Sequence, residues 1–445
     1  MADLIYITIP RQRFRDGLAC VAVSGLLAGA AFGLAPPANA TCASFFGLGN
    51  SAECTSTLFS VAFAIGNGAT AHADGVLGAS FAIGTAAAAT SSGALTLASA
   101  VGNNVTADAQ GLFGTALSLG GDGNNVQAGA AGSIFTVAAN ILGSNNNVSA
   151  LGGFSNRAIN IGGDDNTVTT QGSSFNFARN IFGSNNTVAT TGGYGNAAQN
   201  ILGNGNTVTQ QGGELNTATN FLGNGNSVST TGGYGNLARN RFGDDNDVST
   251  QGGYADLASN LLGTGNTVTS RGGYFNGARN IGGNGNTLTV GGPGSNLNLV
   301  VNVGGGGNTI TAGGPGSLNA GFNVLGSNNQ VSAGPGPFAL AGTILRDGLS
   351  VTKNGPGIAI NDVRVGGASA TRSQTGASTN GARTNGASAN STRADSASAN
   401  GPAKPKNNKQ TTTKSNKQQA NKSSGGTRAT GGSGNTGGPR GHREK

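Results

Sequence analysis

A unit of twenty residues repeats through the middle of the chain, and that period constrains the fold more than any other feature. Three consecutive stretches display it: GGYGNAAQNILGNGNTVTQQ (192 to 211), GGELNTATNFLGNGNSVSTT (212 to 231) and GGYGNLARNRFGDDNDVSTQ (232 to 251). Anchored on one apolar position, the repeat runs Val148, Val168, Val188, Val208, Val228, Val248, Val268 and Leu288 without an insertion, and loosens to twenty-one or twenty-two at Val105, Val126, Ile310 and Val331. Such a period marks stacked units, each burying its apolar face only against its neighbours.

Within each unit lies a ten-residue echo, GxxNxA followed by GxxNxV, as in Gly193, Asn196, Ala198 and then Gly203, Asn206, Val208. Two similar halves predict two strands per coil, joined by Gly/Asn turns. Facing tests this. A strand alternates its side chains, and an even period preserves parity from coil to coil. From 148 to 289, Asn196, Ala198, Asn200, Leu202, Asn206 and Val208 are even, whereas Arg157, Arg179, Arg239, Arg241, Arg271 and Arg279 are all odd. Long charged side chains thus oppose Ala and Val, as an inside and an outside require. The competing reading is Gly/Asn-rich low complexity, favoured by 82 glycines and 9% charged residues; such tracts have no reason to keep a register and a facing rule. The expected fold is all-β, a parallel β-solenoid or β-helix of about fifteen coils, a rod roughly 70 Å long at the strand spacing.

The parity rule predicts a thin core of Val and Ala, with Phe182, Leu202, Leu222, Phe242 and Leu262 as its bulkiest members. Asparagines at equivalent positions (Asn180, Asn200, Asn220, Asn240, Asn260, Asn280) are expected to stack and bond along the axis. Stacking penalises repeated charge, and the column Arg179, Arg239, Arg279 is interrupted by Gln199, Thr219 and Ser259.

The ends divide the chain further. Arg11, Arg13 and Arg15, an apolar stretch from Leu18 to Ala35, and Ala38-Asn39-Ala40 read as a signal peptide over 1–40, removed after Ala40; an uncleaved membrane anchor is the other reading. No later segment is apolar enough to span a bilayer. Export would expose Cys42 and Cys54 to an oxidising compartment, so one disulfide is expected in an N-terminal cap over 41–62. Solenoid coils then fill 63–347, opening with FAIGNGATAHADG (63 to 75), FAIGTAAAATSSG (81 to 93) and SAVGNNVTADAQG (99 to 111), which recur every eighteen residues. The pattern fades in a C-terminal cap over 348–365. Residues 366–445 lack apolar periodicity and are expected to be a disordered basic tail. Charge follows the same division: nine basic against thirteen acidic residues from Thr41 to Val365, net −4, and thirteen against two from Gly366 onward, net +11.

The motif GxxNxAxN followed by GxxNxV resembles the curlin-type repeats of bacterial surface fibres. FAIGNGATA and FAIGTAAAA resemble the head repeats of trimeric autotransporter adhesins, and the whole is similar to exported Gly/Asn-rich repeat proteins of actinobacteria. These resemblances imply a secreted or cell-surface structural or adhesion-type protein.

Chemistry-bearing motifs are sparse. There is no HExxH, no phosphate loop with its lysine, and His72 and His442 have no catalytic neighbour in sequence. An enzyme is not expected, nor a cofactor. Asp164 and Asp165, and Asp244, Asp245 and Asp247, are weak metal candidates; the two groups lie four coils apart, near 19 Å, so they cannot share an ion, and solvated acidic corners are the plainer reading. An outward Thr-x-Thr ladder (Thr167/Thr169, Thr207/Thr209, Thr267/Thr269, Thr287/Thr289, Thr309/Thr311) resembles the ice-binding face of antifreeze solenoids, although threonine is also simply a good exposed strand residue. A second outward column (Ile161, Ile181, Ile201, Phe221, Leu261, Ile281, with Arg241) reads as a contact stripe for another copy or an envelope partner, or as side chains folded over the corner. The tail is expected to meet an anionic envelope polymer or lipid headgroups rather than a specific nucleic acid, since no aromatics interleave its basic residues; a solubilising linker is the alternative.

Overall fold

A computed structural model describes residues 41–366 and the backbone of Arg372–Gln374; the expected signal peptide and the rest of the tail lie outside the described residues. About fifteen coils of roughly twenty residues stack as a β-solenoid with no helix among the described residues. Each coil contributes one strand to each of two sheets. Sheet 1 begins with Val61–Ile65, Ala79–Ile83 and Leu97–Val101 and ends with Ala339–Ile344 and Gly357–Ile360; sheet 2 runs from Cys54–Ser56 and Thr70–Ala73 to Leu349–Lys353. All coil-to-coil pairings are parallel, and the register follows the repeat: Asn200 opposes Asn220 in sheet 1 and Val208 opposes Val228 in sheet 2. A third line of contact is a column of single parallel bridges at one corner, Tyr194 to Glu214 to Tyr234 to Tyr254.

The parity rule holds along the strands. In Ala197–Ile201, Ala198 and Asn200 point inward and are buried; in Thr207–Gln211, Val208 and Gln210 do so. Sheet 1 supplies mainly Ala to the core, sheet 2 mainly Val, so the interior has room for little else. A buried Val contributes about 1.5 to 2 kcal/mol, and the rest of the coil's interior is taken by asparagine amides and by a column of buried hydroxyls at Thr170, Thr190, Thr230 and Thr250.

Those amides form three ladders. In the first, Asn200 Nδ2 donates to Asn180 Oδ1 at 2.8 Å and Asn220 Nδ2 donates to Asn200 Oδ1 at 2.9 Å, a chain running from Asn140 to Asn323. In the second, Asn206 N–H donates to Asn186 Oδ1 at 2.9 Å while Asn206 Nδ2 donates to the Gly223 carbonyl at 2.8 Å, tying the corner between the sheets. The third does the same at the opposite corner: Asn216 N–H donates to Asn196 Oδ1 at 3.0 Å. Corner backbone that would otherwise be orphaned is thereby paired, which is why asparagine recurs there.

One expectation is overturned. Phe182, Leu202, Leu222, Phe242 and Leu262 are not core residues; all are exposed, Phe182 by 52% and Leu202 by 41%. The strand ends one residue earlier, at Ile181 and Ile201, and Phe182 and Leu202 turn the corner with φ of 53° and 62°. Alternation is a property of extended backbone, so parity lapses at the strand's end.

Short antiparallel strands close both ends. Thr41–Phe45 lies along Val61–Ile65, with the Cys42–Cys54 disulfide, both cysteines buried, linking it to the first strand of sheet 2. At the other end Val363–Val365 pairs with Gly357–Ile360, and Arg372–Gln374 with Leu349–Lys353. These pairings cover edges that would otherwise template further strands.

Candidate functional site

The two outward faces differ sharply in chemistry. Sheet 2 presents hydroxyls and amides. The predicted threonines lie in two in-register columns: Thr167, Thr187, Thr207, Ser227, Asp247, Thr267, Thr287, Thr309; and Thr169, Ala189, Thr209, Ser229, Ser249, Thr269, Thr289, Thr311. Most are exposed or half-buried, but Ser249 and Thr269 are buried.

Sheet 1 presents aliphatic and aromatic side chains with arginines among them. The expected stripe is present: Ile161, Ile181, Ile201, Leu261 and Ile281 are half-buried and Phe221 is 41% exposed. It is broader than the sequence implied, because the corner residues displaced from the core, Phe182, Leu202, Leu222, Phe242 and Leu262, run beside it as a second column. Further apolar side chains share the face, among them Phe177, Leu237, Leu257 and Leu299. No strand of this sheet between Val61–Ile65 and Ala339–Ile344 contains an Asp or Glu.

The arginines of this face have no ion-pair partner among the described residues. Arg179 donates from Nη2 to Gln199 Oε1 at 3.1 Å and lies 5.6 Å from the centre of the Phe177 ring; the Nε atoms of Arg157 and Arg179 are buried with no acceptor. Burial, and then the like charge of Arg157, hold Arg179 below the ordinary arginine range; burial, and then Arg241, do the same to Arg239. Arg239 and Arg241 border an open depression of about 410 Å³ whose other walls are Thr219, Phe221 and Phe242, the two phenyl rings edge to face at 5.8 Å.

At the corner opposite the stripe runs an exposed aromatic row that the sequence reading did not single out. Phe113, Phe135, Phe154, Phe175 and Tyr194 contact one another in turn, with ring centres 4.6 to 5.5 Å apart, and Tyr234 stacks on Tyr254 at 5.0 Å. Its signal was the aromatic after the glycine pair, as in Gly153-Phe154, Gly193-Tyr194 and Gly253-Tyr254, with Phe113, Phe135 and Phe175 one position later in the repeat.

The acidic turns bond to backbone. Asp164 Oδ1 accepts the Ser144 N–H at 2.7 Å, Asp244 Oδ1 accepts the Asn224 N–H at 2.7 Å, and Asp165 and Asp245 occupy left-handed turn positions. Asp247 stands in the threonine column, its carboxyl pushed up by burial. The described residues hold no group of three or more His, Cys, Asp or Glu placed to share a metal ion. Register does bring a hydroxyl beside His72, which sequence proximity did not: Thr55 Oγ1 lies 2.8 Å from His72 Nδ1. Asp74, however, meets that hydroxyl at 3.5 Å rather than the imidazole, so the trio is not ordered as a proton relay. Compared with family models, curated proteins and solved structures, the chain matches none of them.

Proposed function

We propose that this chain is an exported, non-enzymatic surface protein of the structural or adhesion type, a stiff solenoid that holds two chemically different faces at a fixed separation. One observation carries the reading: sheet 2 is hydroxyl- and amide-lined while sheet 1 is apolar and cationic, and the parallel register continues each face from coil to coil. Continuous display of repeated side chains suits mechanical spacing and multivalent contact better than turnover of a small substrate. The disulfide at the N-terminal end supports an oxidising, extracellular setting. The basic segment from 366 supplies attachment to an anionic envelope polymer.

Protease treatment of intact producing cells tests this. Digestion of the chain before cytosolic markers supports surface exposure, and complete protection overturns it. Loss of surface retention on deleting 366 to 445 assigns attachment to the tail; unchanged retention makes that segment a linker.

The in-register threonine columns favour a second reading, an ice-binding face. Thermal hysteresis abolished by Thr209→Lys would establish it, and no hysteresis in the intact chain would remove it.

A further inference from the structure

We infer that the outward face of sheet 1 is a docking surface for an anionic lipid layer, with the depression between Arg239, Arg241, Phe221 and Phe242 as a headgroup seat. The inference deepens the surface-rod reading by naming what that face meets. Three observations carry it.

The first is extent. About fifteen strands at the strand spacing give the face a footprint on the order of 1,000 Å². A face of that size matches one side of a specific interface, and the apolar stripe with the column beside it runs along it contiguously, unlike the scattered exposed apolar residues ordinary for a monomer. Hydrated polysaccharide would leave Ile181, Ile201, Leu261 and Ile281 without apolar cover, whereas acyl chains provide it.

The second is charge. Arg157, Arg179, Arg239, Arg241 and Arg279 project from this face, and no carboxylate accompanies them on its strands. Arg241 and Arg279 are exposed, the other three half-buried. An arginine among apolar side chains at a lipid interface buries its stem and delivers its guanidinium to phosphate oxygens, where bidentate geometry suits it. Arg241 and Arg279, the exposed pair, are the ones whose donors such acceptors reach.

The third argues against a second copy as the cover. The arginines occupy the middle coils, 157 to 279, of a stack running from about 61 to 360. Two such faces packed together about their centres would bring arginine against arginine in a water-poor interface with no counter-charge, at a cost that apolar burial must offset. A headgroup layer supplies an anion for each.

The test uses the exported form, residues 41–445 with Cys42 and Cys54 paired, and one added cysteine carrying an environment-sensitive dye, either Ile201→Cys on this face or Thr209→Cys on the other. Phosphatidylglycerol-containing vesicles are expected to blue-shift the dye at 201 and leave the one at 209 unchanged. The basic tail alone could hold the chain near a vesicle, but it would not single out one face. Arg239→Ser/Arg241→Leu copies the neighbouring coil's Ser259 and Leu261 and keeps the apolar area, so it should fold; removing two charges worth about one factor of five each should weaken binding roughly 25-fold. A shift at both positions or at neither, unchanged affinity in the double variant, or equal binding to phosphatidylcholine vesicles would overturn the inference. So would a blue shift at 201 without vesicles together with a doubled mass, which would assign the face to a second copy. Cell-surface protease exposure is read separately, so failure here leaves the location of the rod standing.

Discussion

Asp256 takes the place of an asparagine above Asn236: its backbone N–H donates to Asn236 Oδ1 at 2.8 Å, and its own Oδ1 accepts the Asn276 N–H at 2.8 Å. Its other oxygen occupies the amide-nitrogen slot. A Cβ built on Gly233 would meet Asn236 Nδ2, and one built on Gly253 would meet Asp256 Oδ2, at nearly the same distance. Asn236 Nδ2 donates there to the carbonyls of Gly232 and Gly252, whereas Asp256 Oδ2 has no partner. An ionised oxygen facing carbonyl oxygens is unfavourable, and a proton on Oδ2 restores a donor.

Burial accordingly raises the Asp256 carboxyl to about 7, opposed by its bonds to Asn276; the charged groups on neighbouring strands, Arg239, Asp247, Arg271 and Arg279, stand on outward positions. Because the folded pKa exceeds the unfolded one, the folded state keeps a proton that the unfolded chain releases. Stability from this group is therefore complete below about pH 4 and declines as pH rises through about 7, by at most about 4 kcal/mol. Asp256→Asn should raise stability at neutral pH and flatten that dependence, as followed by denaturant midpoints from pH 4 to 8. Identical profiles for both proteins would refute the protonated ladder.

Asn200→Ala interrupts the first amide ladder, leaving Asn180 Oδ1 without its donor and Asn220 Nδ2 without its acceptor, both buried. Two orphaned groups should cost roughly 2 to 5 kcal/mol. Thr209→Ser, on the exposed face, should change stability by under about 0.5 kcal/mol. Amide hydrogen exchange in Ala197–Ile201 and its neighbours should accelerate for the first and not the second.

Gly203 and Gly205 lie in one turn and predict opposite tolerance. Gly203 has φ +130°, and an added Cβ would fall 1.9 Å from the Gly223 carbonyl oxygen; the positions above and below, Gly183 and Gly223, are also glycine. Gly205 has φ +64° with nothing within 4 Å, and Asn185 and Asp245 occupy its column with similar φ. Gly203→Ala should disrupt coil stacking and lower the melting temperature sharply. Gly205→Asn should leave it nearly unchanged, since asparagine tolerates the left-handed region.

Reduction of Cys42–Cys54 should release the antiparallel strand Thr41–Phe45 from the first coil. Closing a short loop is worth about 3 kcal/mol to the unfolded-state balance. The loss should appear as faster exchange in Val61–Ile65, with coils beyond Ala79 protected as before, because each coil depends mainly on its neighbours. Uniform loss of protection along the stack would contradict that local coupling.

The sequence alone determined the coil length, the two strands per coil, the direction of facing along each strand and the asparagine ladder at 180, 200 and 220. All of these follow from an even period imposed on extended backbone, which repeats identical contacts at each step. Tertiary structure decided what happens where the chain leaves that backbone. It placed Phe182, Leu202 and their equivalents outside, set Thr55 beside His72, and gathered Arg239, Arg241, Phe221 and Phe242 around one depression. It also joined the stripe at 161 to 281 to a whole sheet face free of carboxylates. Parity reports only which side of its own strand a residue takes; the path of the corners and the register between strands determine which side chains share a surface.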